Sequence, residues 1–283
     1  MTSRSRESGS PNDLGIIAPK GAQSIQRAAL LLRAIAGHNR SGLRLVDLVD
    51  ISGLEIPTAH RILKALVAEN LIKQNLTNRR YFLGPLMFEA GLAATHEFSL
   101  RDLCQESLQR IADRTGDTVF LNVRRDYEAV CIERKDGSYP IKVFSLNVGD
   151  RRPLGVGAGG MAILSNLRES EIFSISNHIA ALLPRYGKLN EKLLLSLVKR
   201  SQERGYVLHK VSGLGGGKAV GYPIRNSSGE PFAALSIAAI TSRMGTARCA
   251  KLVAILRKEA LNIERIITQR DVSKSPVLGN RYN

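Results

Sequence analysis

The feature that most constrains this sequence is a pair of short amphipathic segments separated by a glycine. Apolar residues recur at helical spacing over residues 45–51 and again after Pro57, a residue that the first turn of a helix tolerates. Ser52-Gly53 stands between them, and glycine permits a sharp turn. Two short helices joined by a three- or four-residue turn with a glycine are typical of a helix-turn-helix, whose second helix enters the major groove of DNA.

The second of these segments is predicted to present two different faces. Its apolar stripe consists of Ala59, Ile62, Leu63, Leu66 and Val67. Its polar face carries the candidate DNA contacts Thr58, His60, Arg61 and Lys64. Arginine can donate two hydrogen bonds to guanine or contact a phosphate. A further helix over residues 25–36 is expected to precede the pair, with Ser24 as its cap and Gly37 as its end.

A β-hairpin is predicted after the second helix. Two strand-like runs, 71–74 and 80–83, flank a polar tip at 75–79. Asn78, Arg79 and Arg80 are candidate contacts to phosphates or to the minor groove, whose negative potential favours arginine. Alternatives remain open, because three amphipathic helices and a hairpin also occur in folds that do not bind DNA. His60 taken alone is more often an ordinary surface or core histidine, and residues 78–80 could form only a solvated turn.

The rest of the chain alternates between helical and extended patterns. Helices are expected near residues 103–111, 160–167, 193–203 and 250–267. Strands are expected at residues 119–123, 129–133, 141–144, 220–224 and 232–240. The last two strands flank Asn226-Ser227-Ser228-Gly229, a strong hairpin signal. This pattern predicts an α+β domain with an antiparallel sheet.

Three stretches of the sequence resemble the DNA-binding domain of the IclR family of bacterial transcription regulators. They are residues 24–28 (SIQRA), 54–71 (LEIPTAHRILKALVAENL) and 81–84 (YFLG). The chain departs from the family at Glu55-Ile56, which stand before Pro57 where the family has proline directly after Gly-Leu.

The resemblance covers about residues 21–272 and implies the organisation of the whole chain. It implies a winged helix-turn-helix at 21–84, a linker helix at 85–100 that helps to pair two subunits, and a GAF-like effector domain at 101–272. Residues 1–20 are expected to be a disordered tail, and 273–283 a second tail. Met87 and Phe88 in the linker could instead make contacts within one subunit.

A glycine-rich segment at residues 155–160 (GVGAGG) contains the dinucleotide-binding pattern G-x-G-x-x-G. It lacks the apolar strand before it that such a site needs, and Gly217-Lys218 lacks the following Ser or Thr of a P-loop. The glycines can instead bring backbone N–H groups at a helix start close to a carboxylate. The resemblance places the effector here and implies contacts from Ala158, Gly159, His209, Ala219, Ser236 and Ala238. The alanines predict a roomy or apolar pocket, although Ser236 could simply be a buried strand hydroxyl.

Charge and cysteine content narrow the function classes. Residues 1–100 hold 12 Lys and Arg against 8 Asp and Glu, and residues 101–283 hold 29 against 17, so most of the net charge of +16 lies outside the first domain. The charge indicates a polyanionic partner without locating its site.

Cys104, Cys131 and Cys249 lie too far apart for zinc-site spacing, so no metal or cofactor is expected. No apolar run reaches bilayer length, and a cytoplasmic location without a membrane partner is expected.

These observations predict a sequence-specific DNA-binding transcription regulator, a repressor whose affinity for operator DNA is modulated by a small organic acid. A homodimer or tetramer is expected. The alternative is an enzyme or sensor whose N-terminal helices serve only for assembly, but the sequence has no Ser-His-Asp or Cys-His signature and no Walker motif. A nonspecific nucleic-acid binder would need no discrete turn motif.

Overall fold

The structure is a computed structural model that describes residues 22–93, 100–143, 146–211 and 216–274, with side chains as far as residue 269. The chain divides into two compact units, Met1–Phe98 and Ser99–Asn283. The expected tail at 1–20 lies outside the described residues, as do residues 94–99 of the expected linker and most of the expected second tail.

The first unit contains helices followed by a two-stranded hairpin. Its elements are α1 (Gln23–Gly37), α2 (Leu45–Ser52), α3 (Ile56–Ala68), β1 (Ile72–Gln74), β2 (Tyr81–Leu83) and α4 (Pro85–Ala93). β1 and β2 pair antiparallel, and Leu43 forms one further bridge to Tyr81. One buried cluster joins the first three helices to the hairpin: Leu31, Ile35, Leu43, Leu48, Leu63, Leu66, Ile72 and Tyr81. The predicted winged helix-turn-helix is confirmed.

The turn of the motif has the geometry that glycine permits. Gly53 ends α2 with a φ of +64°, and its N–H donates to the Val49 carbonyl at 2.8 Å. Two details of the prediction are wrong. Ser24 does not cap α1, which begins two residues earlier than expected, at Gln23, with Ala22 at the cap position. Val67 is 36% exposed and lies outside the buried stripe, because α3 buries only the residues that face the other helices.

The second unit is built around one sheet. Its elements are α5 (Leu100–Thr115), β3 (Thr118–Arg125), β4 (Glu128–Lys135), β5 (Arg151–Pro153), α6 (Ala158–Leu164), α7 (Glu169–Ile179), a 3₁₀ helix (Ala180–Tyr186), α8 (Glu191–Arg204), β6 (Val207–Lys210), β7 (Gly217–Arg225), β8 (Pro231–Ile240), a second 3₁₀ helix (Thr241–Arg243) and α9 (Thr246–Lys274). Six strands lie in the order β5-β4-β3-β8-β7-β6, and each neighbouring pair is antiparallel. The α+β prediction is confirmed.

Helices cover both faces of this sheet. On β3, Val119 and Leu121 join the cluster that includes residues of α5 and α9, whereas Phe120 joins the cluster of α6, α7 and α8. Because successive side chains of a strand point to opposite faces, a central strand that is covered on both faces needs apolar residues at nearly every position. This requirement explains the almost unbroken apolar run of β8, where the sequence pattern loses its alternation.

The strand predicted at 141–144 is wrong for residues 141–143, which are irregular, and Phe144 lies outside the described residues. The edge position beside β4 is taken by β5, so this segment has no sheet partner there. Val143 is nevertheless buried in the core, which accounts for its apolar character. α6 begins at Ala158 and ends at Leu164, earlier than the predicted helix at 160–167.

Candidate functional site

The exposed face of α3 carries the predicted DNA contacts. Ala59, Leu63 and Leu66 are buried and fix the rotation of the helix. His60, Arg61 and Lys64 are consequently exposed on its other side, and Thr58 is half-buried. The sequence spacing therefore places all four predicted residues on or next to one accessible face.

The tip of the hairpin is held by its own side chains. Asn75 Oδ1 accepts hydrogen bonds from the N–H groups of Thr77 at 2.9 Å and Asn78 at 3.2 Å. Asn78 Oδ1 accepts from the Arg80 N–H at 3.0 Å. Arg79 adopts a left-handed conformation with a φ of +57°. The side-chain amide oxygen of Asn78 thus stabilises the turn, a role that was not predicted from the sequence.

Arg79 and Arg80 have different surroundings. The Nη1 of Arg80 donates to the Gly42 carbonyl at 2.8 Å, and the residue is half-buried. Arg80 therefore ties the hairpin to the loop between α1 and α2. Arg79 is exposed at the tip. Asn39 strengthens the same junction, because its Oδ1 accepts from the Leu83 N–H at 2.8 Å.

Among the described residues, no carboxylate pairs with the cations of this surface. In the described part of the chain, every ion pair lies between residues 101 and 259. Arg61, Lys64 and Arg79 therefore present their charge to solvent, where it can attract phosphates.

The six predicted effector contacts line one pocket of the second unit. Three neighbouring strands bring four of them together: His209 on β6 lies opposite Ala219 on β7, and Ala219 lies opposite Ala238 on β8. Ser236 stands two residues from Ala238 and so shares its face of the sheet. Ala158 and Gly159 reach the pocket from the start of α6. Residues far apart in the sequence therefore converge on one site.

Close packing between α6 and the sheet makes this pocket small. A Cβ added to Gly221 on β7 would lie 2.9 Å from the Ala158 carbonyl carbon, so only glycine fits there. The enclosed space is about 20 Å³, enough for one water-sized group. Ala219 and Ala238 were expected to make the pocket roomy or apolar, and the pocket is not roomy, because α6 lies close against the sheet here.

Two polar residues of the pocket were missed by sequence reasoning, Asn122 and Arg152. Asn122 on β3 is 2% exposed, and its Nδ2 has no hydrogen-bond partner among the described residues. Its amide stands directly over Gly159. The signal was available, since Asn122 interrupts an otherwise apolar run at 119–123.

Burial and the Arg152 charge lower the pKa of His209 to about 4. His209 is therefore neutral near pH 7 and can donate or accept one hydrogen bond. Arg152 is the cation among the residues that line the pocket. An anionic ligand would meet a guanidinium, a neutral imidazole, an amide and the Ser236 hydroxyl here.

The cysteines do not form a reactive centre. Burial raises the pKa of both Cys104 and Cys131 to about 12, so both thiols stay protonated near pH 7. Within the described ranges, no group of three or more His, Cys, Asp or Glu side chains is arranged to hold a metal ion. Among the described helices, none is both long enough and apolar enough to cross a membrane.

Comparison with known proteins assigns both units. Residues 24–76 match the family described as IclR helix-turn-helix domain, and residues 92–265 match Bacterial transcriptional regulator IclR C-terminal. The chain belongs to the IclR family. The family assignment, the α+β fold and the function as a DNA-binding transcription regulator rather than an enzyme are therefore confirmed.

Several relatives of this IclR-family protein are similar over most of their length. The HTH-type transcriptional regulator XynR of Escherichia coli K12 is 27% identical to this chain, and the aligned region covers 87% of this chain and 97% of XynR. The HTH-type transcriptional repressor AllR of Salmonella typhi is also 27% identical, over 91% of this chain and 94% of its own.

Solved structures share the fold. An IclR regulator from Alicyclobacillus acidocaldarius has a TM-score of 0.70 at 23% identity, covering 86% of this chain and 98% of its own. An IclR homologue from Microbacterium hydrocarbonoxydans was crystallised with 4-hydroxybenzoate. It has a TM-score of 0.68 at 21% identity, and the match covers 87% of this chain and 99% of the homologue.

Proposed function

We propose that this regulator is a cytoplasmic repressor that binds a pseudo-palindromic operator as a dimer or a pair of dimers, and that a small organic acid controls its DNA affinity. The observation that carries the proposal is the α3 and hairpin surface, where exposed cations stand apart from any described ion pair. The repressor role is supported by AllR, a relative named as a repressor.

The residues of this surface have distinct roles in the proposal. Arg61, with Thr58, His60 and Lys64 beside it on α3, reads base edges in the major groove. Arg79 at the hairpin tip anchors the protein to the DNA backbone or minor groove. Arg80 and Asn78 contribute chiefly by holding the hairpin in place, because their described hydrogen bonds are to the protein itself.

The pairing of two subunits is supported by α4. This helix is largely apolar, yet none of its residues is buried, and Phe88 is 69% exposed. Leu86 and Leu92 are exposed on the same helix. A second copy of α4 would remove these side chains from water, and burying one such side chain is worth about 1.5–3 kcal/mol. Since one recognition helix covers few base pairs, pairing also doubles the recognised sequence.

The effector site of the proposal is the pocket between α6 and the sheet. Asn122, Ser236 and Arg152 supply hydrogen-bond donors for a carboxylate. α6 has only seven residues, so these side chains contribute more than its N-terminus does. The relative crystallised with 4-hydroxybenzoate supports an organic acid as the ligand class. Because the cavity holds only about 20 Å³, the proposal includes a widening of the pocket on binding, for which we propose a movement of α6 away from the sheet.

Gel-shift titration tests the proposal. DNA from upstream of the regulator's own gene and neighbouring genes would be titrated beside excess nonspecific competitor, with and without aliphatic and aromatic acids. DNase I footprinting of the shifted fragment should then show two protected half-sites separated by a near-integral number of helical turns. A single unpaired half-site would contradict the dimeric assembly, and DNA affinity unchanged by every acid that binds the protein would contradict effector control.

A further inference from the structure

A second, larger cavity of about 550 Å³ lies beside the effector pocket. The two cavities share Val156 and His209 as walls. The second cavity opens between α8 and the strands β6 and β7, so all of its walls belong to one unit. Its size falls within the range of about 300–1,000 Å³ that small-molecule sites occupy.

Among the described residues, five cations and no carboxylates line this second cavity. They are Lys188, Arg200, Arg204, Lys210 and Lys218. None of them takes part in an ion pair within the described ranges. Like charges around a concave surface repel one another, and the field that they produce inside it attracts anions. A ligand with more than one negative charge would relieve this repulsion.

The floor of the cavity is apolar. Met161, Leu189 and Val207 are buried beneath it. Leu193 and Leu197 of α8 extend the apolar surface toward the opening, and Leu193 is exposed. The cavity therefore combines a basic rim with an apolar floor, a combination that a simple inorganic ion would use only in part.

We propose that this cavity is a second ligand site, which binds an organic phosphate ester with its apolar group on the floor and its phosphate among the rim cations. The DNA-reading surface does not account for these cations, since they belong to the second unit, which carries most of the net charge. A dianionic phosphate accepts charge-assisted hydrogen bonds from Lys and Arg. The effector pocket, where Arg152 is the one cation among the described lining residues, is suited to a singly charged acid.

Calorimetry on the full chain tests this site with three probes: hexyl phosphate, hexan-1-ol and inorganic pyrophosphate. We expect hexyl phosphate to bind at least about tenfold more tightly than either other probe, because only it uses both rim and floor. Its affinity should fall as NaCl is raised, since the exposed cations are screened by salt. Equal affinity for hexan-1-ol, or no effect of salt, would overturn the proposal.

Matched charge variants on α8 locate the binding. The double variant R200Q/R204Q should weaken hexyl phosphate binding about tenfold, since each lost charge-assisted contact lowers the affinity. K192Q/K199Q removes the same charge from two exposed residues of α8 outside the cavity and should change affinity less than about twofold. Equal weakening by both variants would show a nonspecific charge effect and refute the site.

Two further variants distinguish binding in the second cavity from binding in the effector pocket. L193E places a carboxylate on the exposed apolar surface near the opening of the cavity, and it should abolish hexyl phosphate binding while the thermal melt stays cooperative. S236A alters the effector pocket and should leave hexyl phosphate binding unchanged. Loss of binding in S236A with retention in R200Q/R204Q would place the phosphate in the effector pocket and overturn the second site, without affecting the proposed DNA-binding function.

Discussion

The substitution G159A should destabilise the packing of α6 against β3, and a second substitution at Asn122 should restore most of the lost stability. A Cβ on Gly159 would lie 2.7 Å from Cγ and 3.1 Å from Cβ of Asn122, and closer still to its Nδ2. Carbon atoms in contact normally stand about 3.5–4.0 Å apart. The Asn122 side chain cannot swing into solvent, because it is buried on β3. Either the amide or α6 must therefore move.

The cost follows from the depth of this overlap. Overpacking a well-packed core destabilises a protein by about 1–3 kcal/mol. For a unit of this size each kcal/mol lowers Tm by about 2–4 °C, so the expected loss is about 2–12 °C. N122A alone should cost less stability than G159A, because the buried Nδ2 that it removes has no hydrogen-bond partner among the described residues. The double variant G159A/N122A should recover most of the loss, since the clashing amide is gone.

Thermal melts of the four proteins, with G245A as control, provide the assay. A Cβ on Gly245 would meet no described atom within 4 Å, so G245A should melt like the wild type. The double-mutant cycle should give a favourable coupling energy of about 1–2 kcal/mol between the two positions. Strictly additive effects would refute the close approach of Asn122 to Gly159, and with it the geometry proposed for the effector pocket.

Three other predictions concern DNA binding, assembly and pH. R61A should lose about 1–3 kcal/mol of operator affinity and relax specificity, whereas R79A should weaken all sequences uniformly in gel shifts. F88E should yield monomers in sedimentation without loss of fold, because Phe88 is exposed on α4. Burial and Arg152 lower the pKa of His209 from 6.5 to about 4, so the unfolded chain takes up this proton at higher pH than the folded chain. Stability should therefore fall by up to about 3 kcal/mol as pH drops from 6.5 to 4, and denaturant titrations of H209Q should show a smaller fall.

The helix-turn-helix could be predicted from sequence because its signals are local. Gly53 marks the turn, Pro57 marks the first turn of α3, and the apolar spacing of Ala59, Leu63 and Leu66 sets the face that is buried. The different positions of Arg79, which is exposed, and Arg80, which bonds to the protein, could not be predicted in this way. It depends on the hydrogen bond from Arg80 to Gly42, which joins residues 38 positions apart.

The effector domain was less accessible to sequence reasoning, because its sheet is assembled from distant segments. The pairing of β3 with β8 joins residues 118–123 to residues 233–238, and no local pattern specifies it. β5 and β6 are too short for their alternation to be recognised, and their place is fixed by the strands beside them. The six pocket residues could be predicted because the sequence resembles a family. The position of Asn122 over Gly159 could not, because it depends on how β3 and α6 pack together.

The small residues of the pocket connect its structure to its regulation. Gly221 and Gly159 let α6 lie against the sheet, and this contact is what closes the cavity. If an effector binds in this pocket as proposed, it breaks helix–sheet contacts before it makes its own, and its apparent affinity falls in proportion to the fraction of molecules that are open. This cost of opening is what would let an effector control the protein, because a ligand that bound the closed and open forms equally would not shift the equilibrium between them. Substitutions that loosen α6 should consequently tighten effector binding while weakening the fold, and stability and affinity measured on one variant series should change in opposite directions.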